Sequence, residues 1–367
     1  MKKQKLEKKL NTKKELFQER ILISGNEAIA SSAIASGCRF YAGYPITPQN
    51  ELTSFMAKHM PEAGGVFIQA ESEVAAINMV FGASCAGARA MTSSSSPGIS
   101  LKQEGISYLV GAELPCVIVN IMRGGPGLGN IAPSQSDYFQ ATRGGGHGDY
   151  HCIVLAPSNV QEAVNLIKRG FDLADKYRNP VLILGDGMLG QMMEPIEAQS
   201  AKRKTQSYKK PWALTGCKNR KPNQIKSFYM AEGALEEFNK KLQKKFKKIE
   251  ENEVRFEGLF LDDAEIVIVS YGTMSRIAKQ AILKLRDAGF KIGLIRPISL
   301  WPFPSQVIEN LSEKVKKILV VEMSYGQMIE DVKLAVGGEI PVDFYGRAGG
   351  GIPSEEEIIE KVKSLKV

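Results

Sequence analysis

The sequence predicts an α/β protein of two units, the first of them built on a parallel sheet. From about residue 21 to residue 200, short apolar runs alternate with longer runs of helical character. The same alternation returns near residue 259. The chain has 367 residues, of which 43% are hydrophobic and 24% charged, so it can bury two cores. We therefore divide it into a basic tail (1–20), a first α/β domain (21–200), a basic connector with a helix (201–258) and a second α/β domain (259–367).

The elements of the first unit follow from runs bounded by glycine, proline or polar turns. Strands are predicted at 40–43, 65–69, 88–92, 115–120, 152–155 and 180–184, and helices at 24–36, 73–86, 103–112 and 158–177. The helix at 24–36 ends at Gly37, a residue typical of helix ends. The helices at 73–86 and 103–112 are apolar on nearly all sides, which predicts burial, whereas 158–177 is clearly amphipathic.

The connector and the second unit are predicted in the same way. A charged helix is expected at 231–252. Strands are then predicted at 265–270, 291–295, 317–321 and 341–345, and helices at 275–288, 304–314, 326–335 and 355–362.

Composition excludes several classes of protein. There is no apolar run of roughly eighteen residues and no secretory signal, so we expect a cytoplasmic protein without a membrane partner. The cysteines are odd in number and far apart, with no C-x-x-C pair, which argues against a disulfide framework and against a metal or iron–sulfur site held by this chain alone. We interpret all five as structural: Cys38, Cys85, Cys116, Cys152 and Cys217.

The net charge of +8 comes from two segments rather than from the whole chain. Residues 1–20 carry eight Lys or Arg and three Glu, and residues 202–248 carry fifteen and three, so they contribute +5 and +12. The rest of the chain therefore carries 8 − 17 = −9. Basic segments on an acidic body, without a zinc-finger, RNP or helix-turn-helix pattern, indicate solvated faces or contacts to acidic subunits and argue against nucleic-acid binding.

Thr47 is the first candidate site residue. It lies between Pro45 and Pro48, directly after the first predicted strand, where an α/β sheet opens its ligand crevice. The two prolines hold its hydroxyl in a fixed place. The alternative interpretation is a turn whose threonine caps the next helix.

Glu73 is the second candidate and begins the helix at 73–86, which is almost free of charge. A carboxyl on a helix that packs on both sides is partly desolvated and suited to share a proton with a ring nitrogen. A simple partner of the helix dipole is the alternative. We assign function to Glu73 and capping to Glu71.

Arg123 follows an apolar strand and precedes the glycine-rich segment 124–129. A guanidinium in that position can hold a carboxylate in a fork, and a surface ion pair is the alternative. Pro126 falls inside the segment and the G-x-G-x-x-G spacing is absent, so nicotinamide binding is rejected. Gly185-Asp186-Gly187 is interpreted as a turn that ends a strand.

Two further segments bear on the site. The serines of 93–98, Ser96 among them, lie between a strand and a helix, so their hydroxyls and amides can line a polar ligand face. No G-x-S-x-G elbow accompanies them, so nucleophilic hydrolysis is not expected. His147 is close to Asp149 and His151 without a helical scaffold, so contact with substrate is favoured over a metal site.

With these residues in view, the chain resembles the alpha subunits of the 2-oxoacid:ferredoxin oxidoreductases. The resemblance runs from about Gly25 to the C-terminus. It rests on the phrases Tyr44-Pro45-Ile46-Thr47-Pro48, Glu71-Ser72-Glu73-Val74-Ala75-Ala76, Ser95-Ser96-Pro97-Gly98, Arg123-Gly124-Gly125-Pro126, His147-Gly148-Asp149 and Val320-Val321-Glu322-Met323. It implies a pyrimidine-binding domain for thiamine diphosphate, followed by a domain like the C-terminal domain of transketolase.

The resemblance also implies the chemistry and the partners. Glu73 would bond the aminopyrimidine ring of thiamine diphosphate with help from Thr47 and Ser96, and Thr47, Arg123 and His147 would contact the 2-oxoacid. The reaction implied is oxidative decarboxylation to an acyl-CoA and CO2, with electrons passed to ferredoxin. A beta subunit would hold the diphosphate and Mg²⁺, and the 4Fe–4S clusters would lie in partner chains, with a gamma and a ferredoxin-like subunit completing the complex.

Within that family, the uncharged segments 127–131 and 144–150 look most like the 2-oxoisovalerate (branched-chain) branch. An uncharged loop suits an aliphatic tail, since a second carboxylate would require another cation. Use of 2-oxoglutarate or pyruvate remains open, and so does a non-catalytic scaffold role.

Overall fold

The computed structural model describes residues 20–197, 208–311 and 314–365. Most of the predicted tail and part of the connector therefore lie outside the described residues. In the first domain, β2 (Phe40–Gly43), β3 (Val66–Gln69), β4 (Ala90–Ser94), β5 (Val117–Met122), β6 (Ile153–Leu155) and β7 (Val181–Asp186) pair in parallel in the order β6-β7-β5-β4-β2-β3. The predicted parallel sheet is confirmed.

Helices cover both faces of this sheet. They are α1 (Gly25–Ala35), α2 (Asn50–Glu62), α3 (Glu73–Cys85), α4 (Ser96–Gly111), α5 (Tyr138–Arg143), α6 (Val160–Tyr177) and the short α7 (Gly187–Gln191). Every residue of β4, β5 and β7 is buried, as expected for central strands covered on both sides. Asp186 ends β7 as predicted, but no turn follows: its carboxylate accepts from the amides of Met188 and Leu189 and so caps the short helix α7.

Two predictions for these helices are wrong. The helix predicted at 103–112 begins at Ser96, because Pro97 occupies the first turn, where its missing N–H costs nothing. Neither α3 nor α4 is buried all round: Val74 of α3 and Leu101 of α4 are exposed. Several elements were also missed, among them the helices α2, α5 and α7. Another is the antiparallel pair of β1 (Arg20–Ser24) with β8 (Met193–Glu197), which takes Arg20 out of the predicted tail.

The connector helix, α8 (Ala234–Glu253), packs on the first domain rather than standing free. Leu242, Phe246 and Ile249 are buried, and Glu253 forms ion pairs with Arg169 and Lys176. Most of the lysines of α8 have exposed side chains. Four cysteines are buried as predicted, but Cys217 in the connector is exposed, so the structural interpretation fails there.

The second domain has its own sheet in the order β14-β13-β10-β11-β9. Its strands are β9 (Phe256–Leu259), β10 (Ile266–Val269), β11 (Ile292–Pro297), β13 (Lys317–Glu322) and β14 (Val342–Gly346), all parallel except β9. Its helices are α9 (Met274–Asp287), α10 (Ser305–Glu309), α11 (Met328–Val336) and α12 (Glu355–Ser364). The helix predicted at 304–314 is thus shorter, and residues 312–313 lie outside the described residues.

The two domains are joined across the predicted boundaries. Strand β12 (Ser299–Trp301) leaves the second domain and pairs antiparallel with β6 at the edge of the first sheet. Strand β9 begins at Phe256 and so crosses the predicted boundary at residue 259. Among the described residues, every helix is too short or too polar to span a bilayer.

Candidate active site at the carboxyl edge of the first sheet

Four of the predicted site residues follow the carboxyl ends of four neighbouring parallel strands. Thr47 comes after β2, Glu73 after β3, Ser96 after β4 and Arg123 after β5, and these strands are adjacent in the sheet. The carboxyl ends of parallel strands meet at one edge, where α/β sheets bind ligands. The sheet therefore brings the four residues to one crevice.

Arg123 is a buried anchor in this crevice. Its two terminal nitrogens donate to the carbonyl oxygens of Thr47 and Leu128, each at 3.0 Å. Its Nε is buried and has no partner in the described part of the chain. Because each terminal nitrogen carries a second hydrogen, the guanidinium keeps an N–H pair with which it can still bind a carboxylate.

Ser96, the first residue of α4, is hydrogen-bonded to the carboxyl end of β5. Its hydroxyl donates to Asp137 at 2.6 Å and accepts from the Arg123 amide at 3.0 Å, and its own amide donates to Asn120 at 3.1 Å. Burial raises the pKa of Asp137, and the hydrogen bonds from Ser96 and Asn120 oppose that rise. Ser96 is therefore occupied in fixing the position of Arg123.

Glu73 is the first residue of α3 and is only 6% exposed. Within the described ranges, no group donates a hydrogen bond to its carboxylate. Ser72, whose hydroxyl accepts from the Ala75 amide at 3.1 Å, caps this helix. Glu71 is exposed outside the helix, so the prediction that it acts as the cap is wrong.

The space beside Glu73 depends on a glycine. A Cβ on Gly98 would lie 2.1 Å from Ser94 Oγ and 2.6 Å from Glu73 Oε1. The hydroxyls of Ser94 and of the next residue, Ser95, are buried, and neither has a partner among the described residues. Buried polar atoms are normally paired, so a cluster of free ones indicates a polar ligand. These residues fit the aminopyrimidine of thiamine diphosphate, which offers both ring nitrogens and an amino group.

His147 is not part of this crevice. It precedes β6, so it lies at the amino edge of the sheet, the opposite edge from Arg123. It is exposed, and its carbonyl accepts from Ser107, three turns along α4 from Ser96. The geometry of this chain therefore does not support the predicted substrate contact. In the described part of the chain, no group of three or more His, Cys, Asp or Glu side chains is arranged to hold a metal ion.

Sequence reasoning missed Lys102, which lies on α4 one turn after Gly98. Its side chain is fully buried, and Nζ donates to Thr92 Oγ1 at 2.9 Å and to the Ser93 carbonyl at 3.4 Å. Burial lowers its pKa to about 7, against the opposing charge of Glu73. The sequence did hold a signal for it, since residues four apart on a helix share a face and Lys102 lies four residues after Gly98. That signal applies only if the helix begins at Ser96, and the predicted helix began at residue 103.

Both domains of this chain match known protein families. Residues 31–255 match the family described as pyruvate flavodoxin/ferredoxin oxidoreductase, thiamine diphosphate-binding, and residues 264–358 match the core domain II of pyruvate:ferredoxin oxidoreductase. The ketoisovalerate oxidoreductase subunit VorB of Methanothermobacter thermautotrophicus is 49% identical over 94% of this chain and 97% of its own length. The 2-oxoglutarate synthase subunit KorA of Methanocaldococcus jannaschii is 38% identical over 92% and 97%.

Solved structures agree with these matches. The 2-oxoglutarate:ferredoxin oxidoreductase from Magnetococcus marinus matches with a TM-score of 0.85 and 28% identity, covering 94% of this chain and 65% of that chain. This chain thus spans less than two thirds of that relative. A split-gene transketolase, at a TM-score of 0.59 and 15% identity, shares the fold. The predicted fold class and the predicted resemblance are confirmed.

Proposed function

We propose that this chain, which belongs to the alpha subunits of the 2-oxoacid:ferredoxin oxidoreductases, provides half of a thiamine diphosphate site that decarboxylates 2-oxoisovalerate. The products are the corresponding acyl-CoA and CO2, and ferredoxin is reduced. The observation that carries this proposal is the buried carboxylate of Glu73 beside the buried hydroxyl of Ser94, neither of which has a hydrogen-bond partner among the described residues.

Glu73 has the properties required to manage a proton on the aminopyrimidine. Its carboxylate is shielded from water, so a proton shared with a ring nitrogen is held at one atom rather than lost to solvent. Ser94 is next to that carboxylate and can bind the ring's polar edge. When bound, thiamine diphosphate supplies the electron-accepting ring that makes loss of CO2 from a 2-oxoacid possible.

Arg123 and Thr47 orient the substrate in this proposal. The unpartnered Nε of Arg123 and the adjacent terminal N–H form a pair suited to the carboxylate of the 2-oxoacid. Thr47 is half-buried, and from the described residues its hydroxyl accepts only a long bond of 3.3 Å from Asn50, so it is available to a substrate oxygen. Fixed in this way, the bond to be broken is aligned with the cofactor before reaction.

The loop after Arg123 supports an aliphatic substrate. Leu128 and Ile131 are exposed, and residues 124–131 contain no charged side chain. A second carboxylate, as in 2-oxoglutarate, would find no cation in this loop. The identity with VorB, which is named a ketoisovalerate oxidoreductase subunit, points the same way.

The rest of the enzyme is assigned to partner chains. We propose that a beta subunit binds the diphosphate with Mg²⁺, that 4Fe–4S clusters lie in partner subunits, and that gamma and ferredoxin-like subunits complete the complex. Its external acceptor is ferredoxin. The curated relatives are themselves named as subunits, which supports a multi-subunit enzyme.

Glu73→Gln tests the role of the carboxylate in the reconstituted complex. The amide has the same shape but cannot hold the proton, so we expect turnover with 2-oxoisovalerate, CoA and a viologen acceptor to fall by at least about 100-fold. Assembly, followed by size-exclusion chromatography, should be unchanged. Glu71→Gln, two residues away and exposed, is the matched control and should keep full activity. Near-normal turnover in Glu73→Gln would favour the scaffold role.

A panel of 2-oxoacids tests the substrate. We expect the highest kcat/KM for 2-oxoisovalerate, and Arg123→Ala should lower kcat/KM by about 10- to 100-fold, as expected for hydrogen bonds to a charged group. Thiamine diphosphate should stay bound, because Arg123 contacts the turn at Thr47 and the loop at Leu128 rather than α3. Preference for 2-oxoglutarate or pyruvate would contradict the substrate, and loss of the cofactor would contradict the role of Arg123.

A further inference from the structure

The turn that carries Thr47 is held by its backbone rather than by its side chain. Within the described ranges, the Thr47 hydroxyl accepts only the long bond of 3.3 Å from Asn50. The Thr47 carbonyl, by contrast, accepts from Arg123 at 3.0 Å. The next carbonyl, that of Pro48, accepts from two side-chain amides. The position of the hydroxyl is therefore set by the peptide groups on either side of Pro48.

The two amides belong to Asn26 and Gln191. Asn26 is the second residue of α1 and is fully buried, and its Nδ2 donates to the Pro48 carbonyl at 2.8 Å. Gln191 is the last residue of α7, and its Nε2 donates to the same carbonyl at 3.0 Å. Both nitrogens also donate to Oε2 of Glu51, at 2.8 Å and 3.0 Å. We call Asn26, Gln191 and Glu51 the amide clamp.

Glu51, near the start of α2, fixes the orientation of both amides. An ionised carboxylate can only accept hydrogen bonds, so each amide must turn its NH2 group, and not its oxygen, toward Glu51. The second hydrogen of each NH2 group is then directed at Pro48. The Pro48 carbonyl thus has two donors, one for each of its lone pairs.

Two glycines let α1 and α7 come close enough for this arrangement. A Cβ on Gly25 would lie 1.9 Å from the carbonyl oxygen of Leu189. A Cβ on Gly190 would lie 2.9 Å from Asn26 Oδ1. Either atom would be closer to its neighbour than packed atoms come, so the helices meet in this way only because both residues are glycine. Their contact brings the side chains of Asn26 and Gln191 to one carbonyl.

We propose that Asn26 and Gln191 are positioning residues for the 2-oxoacid, because they fix the turn that presents the Thr47 hydroxyl to it. This inference rests on the proposed role of Thr47. Arg123 holds the peptide on one side of Pro48, and the amide clamp holds the peptide on the other side. The guanidinium and the hydroxyl therefore keep one spacing. Loss of the amide clamp weakens substrate binding and leaves the cofactor contacts of α3 and β4 in place.

Steady-state kinetics of the assembled complex, saturated with thiamine diphosphate and CoA, test the proposal. Asn26→Leu removes the buried donor with little change of shape. We expect the KM for 2-oxoisovalerate to rise by about 3- to 10-fold, as for the loss of one neutral hydrogen bond, and kcat to change by less than about twofold. In a Thr47→Val background the same change should raise KM by less than about twofold, because the hydroxyl that it displaces is absent.

Asn179→Leu is the matched control. Asn179 is also fully buried, and its Nδ2 donates to the carbonyls of His151 and Pro180 at 3.0 Å and 3.1 Å, but it precedes β7 at the opposite edge of the sheet. In both asparagines Oδ1 is buried without a partner among the described residues, so the two substitutions remove comparable interactions. Asn179→Leu should lower the unfolding temperature as Asn26→Leu does and leave KM unchanged.

Gln191→Leu is a second variant for the case in which Asn26→Leu does not assemble, since the Gln191 side chain is exposed. It removes one donor to Pro48 and should raise KM by about 2- to 3-fold, with a smaller effect in the Thr47→Val background.

The outcomes separate this inference from the proposed function. A wild-type KM in both Asn26→Leu and Gln191→Leu, or a rise of the same size in the Thr47→Val background, would overturn the inference and leave the amide clamp a structural contact. If Thr47→Val alone keeps the wild-type KM, the proposed role of Thr47 fails, and the inference fails with it.

Discussion

The buried ionisable side chains of this protein differ in how well hydrogen bonds compensate for their burial. Asp186 accepts from two amides at the start of α7, and Glu322 accepts from the amides of Gln327, Met328 and Ile329 before and within α11. Burial raises the pKa of both carboxyls, and these hydrogen bonds oppose the rise. Lys102 has only neutral oxygens around its amine, so its burial is the least compensated of the three.

The cost of burying Lys102 predicts how stability depends on pH. Its pKa is about 7 in the folded protein and 10.5 in the unfolded chain, so between these pH values only the unfolded state holds the proton. Stability attributable to this residue therefore rises from pH 7 to pH 10.5 by about 1.4 kcal/mol per pH unit, and the penalty is full below pH 7. Lys102→Met should gain stability over wild type near pH 7 and lose that advantage as pH rises.

The measurement is the difference in free energy of unfolding between Lys102→Met and wild type across this pH range, in matched complexes. Lys245→Met is the comparison: the pKa of Lys245 is about 8, so the stability difference of this variant should stay constant between pH 7 and pH 8, where that of Lys102→Met already changes. A difference that does not change with pH would contradict the assigned state of Lys102.

At the scale of the elements, the sequence predicted the sheet better than the helix starts. Buried parallel strands are local apolar runs, so β2 to β7 could be located within about two residues, and with them the crevice formed by Thr47, Glu73, Ser96 and Arg123. The sequence analysis placed the start of α4 too late, because Pro97 and Gly98 are typical of a loop. This error hid Lys102, which shares the buried face of α4 with Gly98 and Ile106.

Other elements could not be predicted because their stability is not local. Helix α2 is polar along its outer face and contains Pro61, and only Leu52, Thr53, Met56 and Met60 are buried. Strand β12 is three residues long and exists because β6 offers an unpaired edge far away in the sequence. To predict the position of His147, one must know the direction in which β6 runs in the sheet, and the sequence motif around His147 does not contain that information.

At the scale of the whole molecule, the second domain supports the segment of the first that follows Arg123, residues 124–135. Gln135, at the end of that loop, exchanges two bonds of 2.9 Å with the backbone of Met323 and donates to the Tyr271 carbonyl at 2.9 Å. Asn130, within the loop, donates to the Gly349 carbonyl at 2.9 Å. The backbone that positions Arg123 is therefore held from both domains.

Gln135→Leu tests whether this support matters for the reaction. The change leaves the buried amide of Met323 unpaired, which costs about 1 to 3 kcal/mol, and leaves the Tyr271 carbonyl with only a long bond of 3.4 Å from the Ser275 amide. We expect the complex to unfold at lower temperature and the KM for the 2-oxoacid to rise, while affinity for thiamine diphosphate is retained because Glu73 is held by α3. Gln140→Leu, which loses one bond to Ser100 at the surface, is the control and should change neither quantity appreciably. A lower unfolding temperature with an unchanged KM would show that the loop keeps its shape without the second domain, so Arg123 would then be positioned by the first sheet alone.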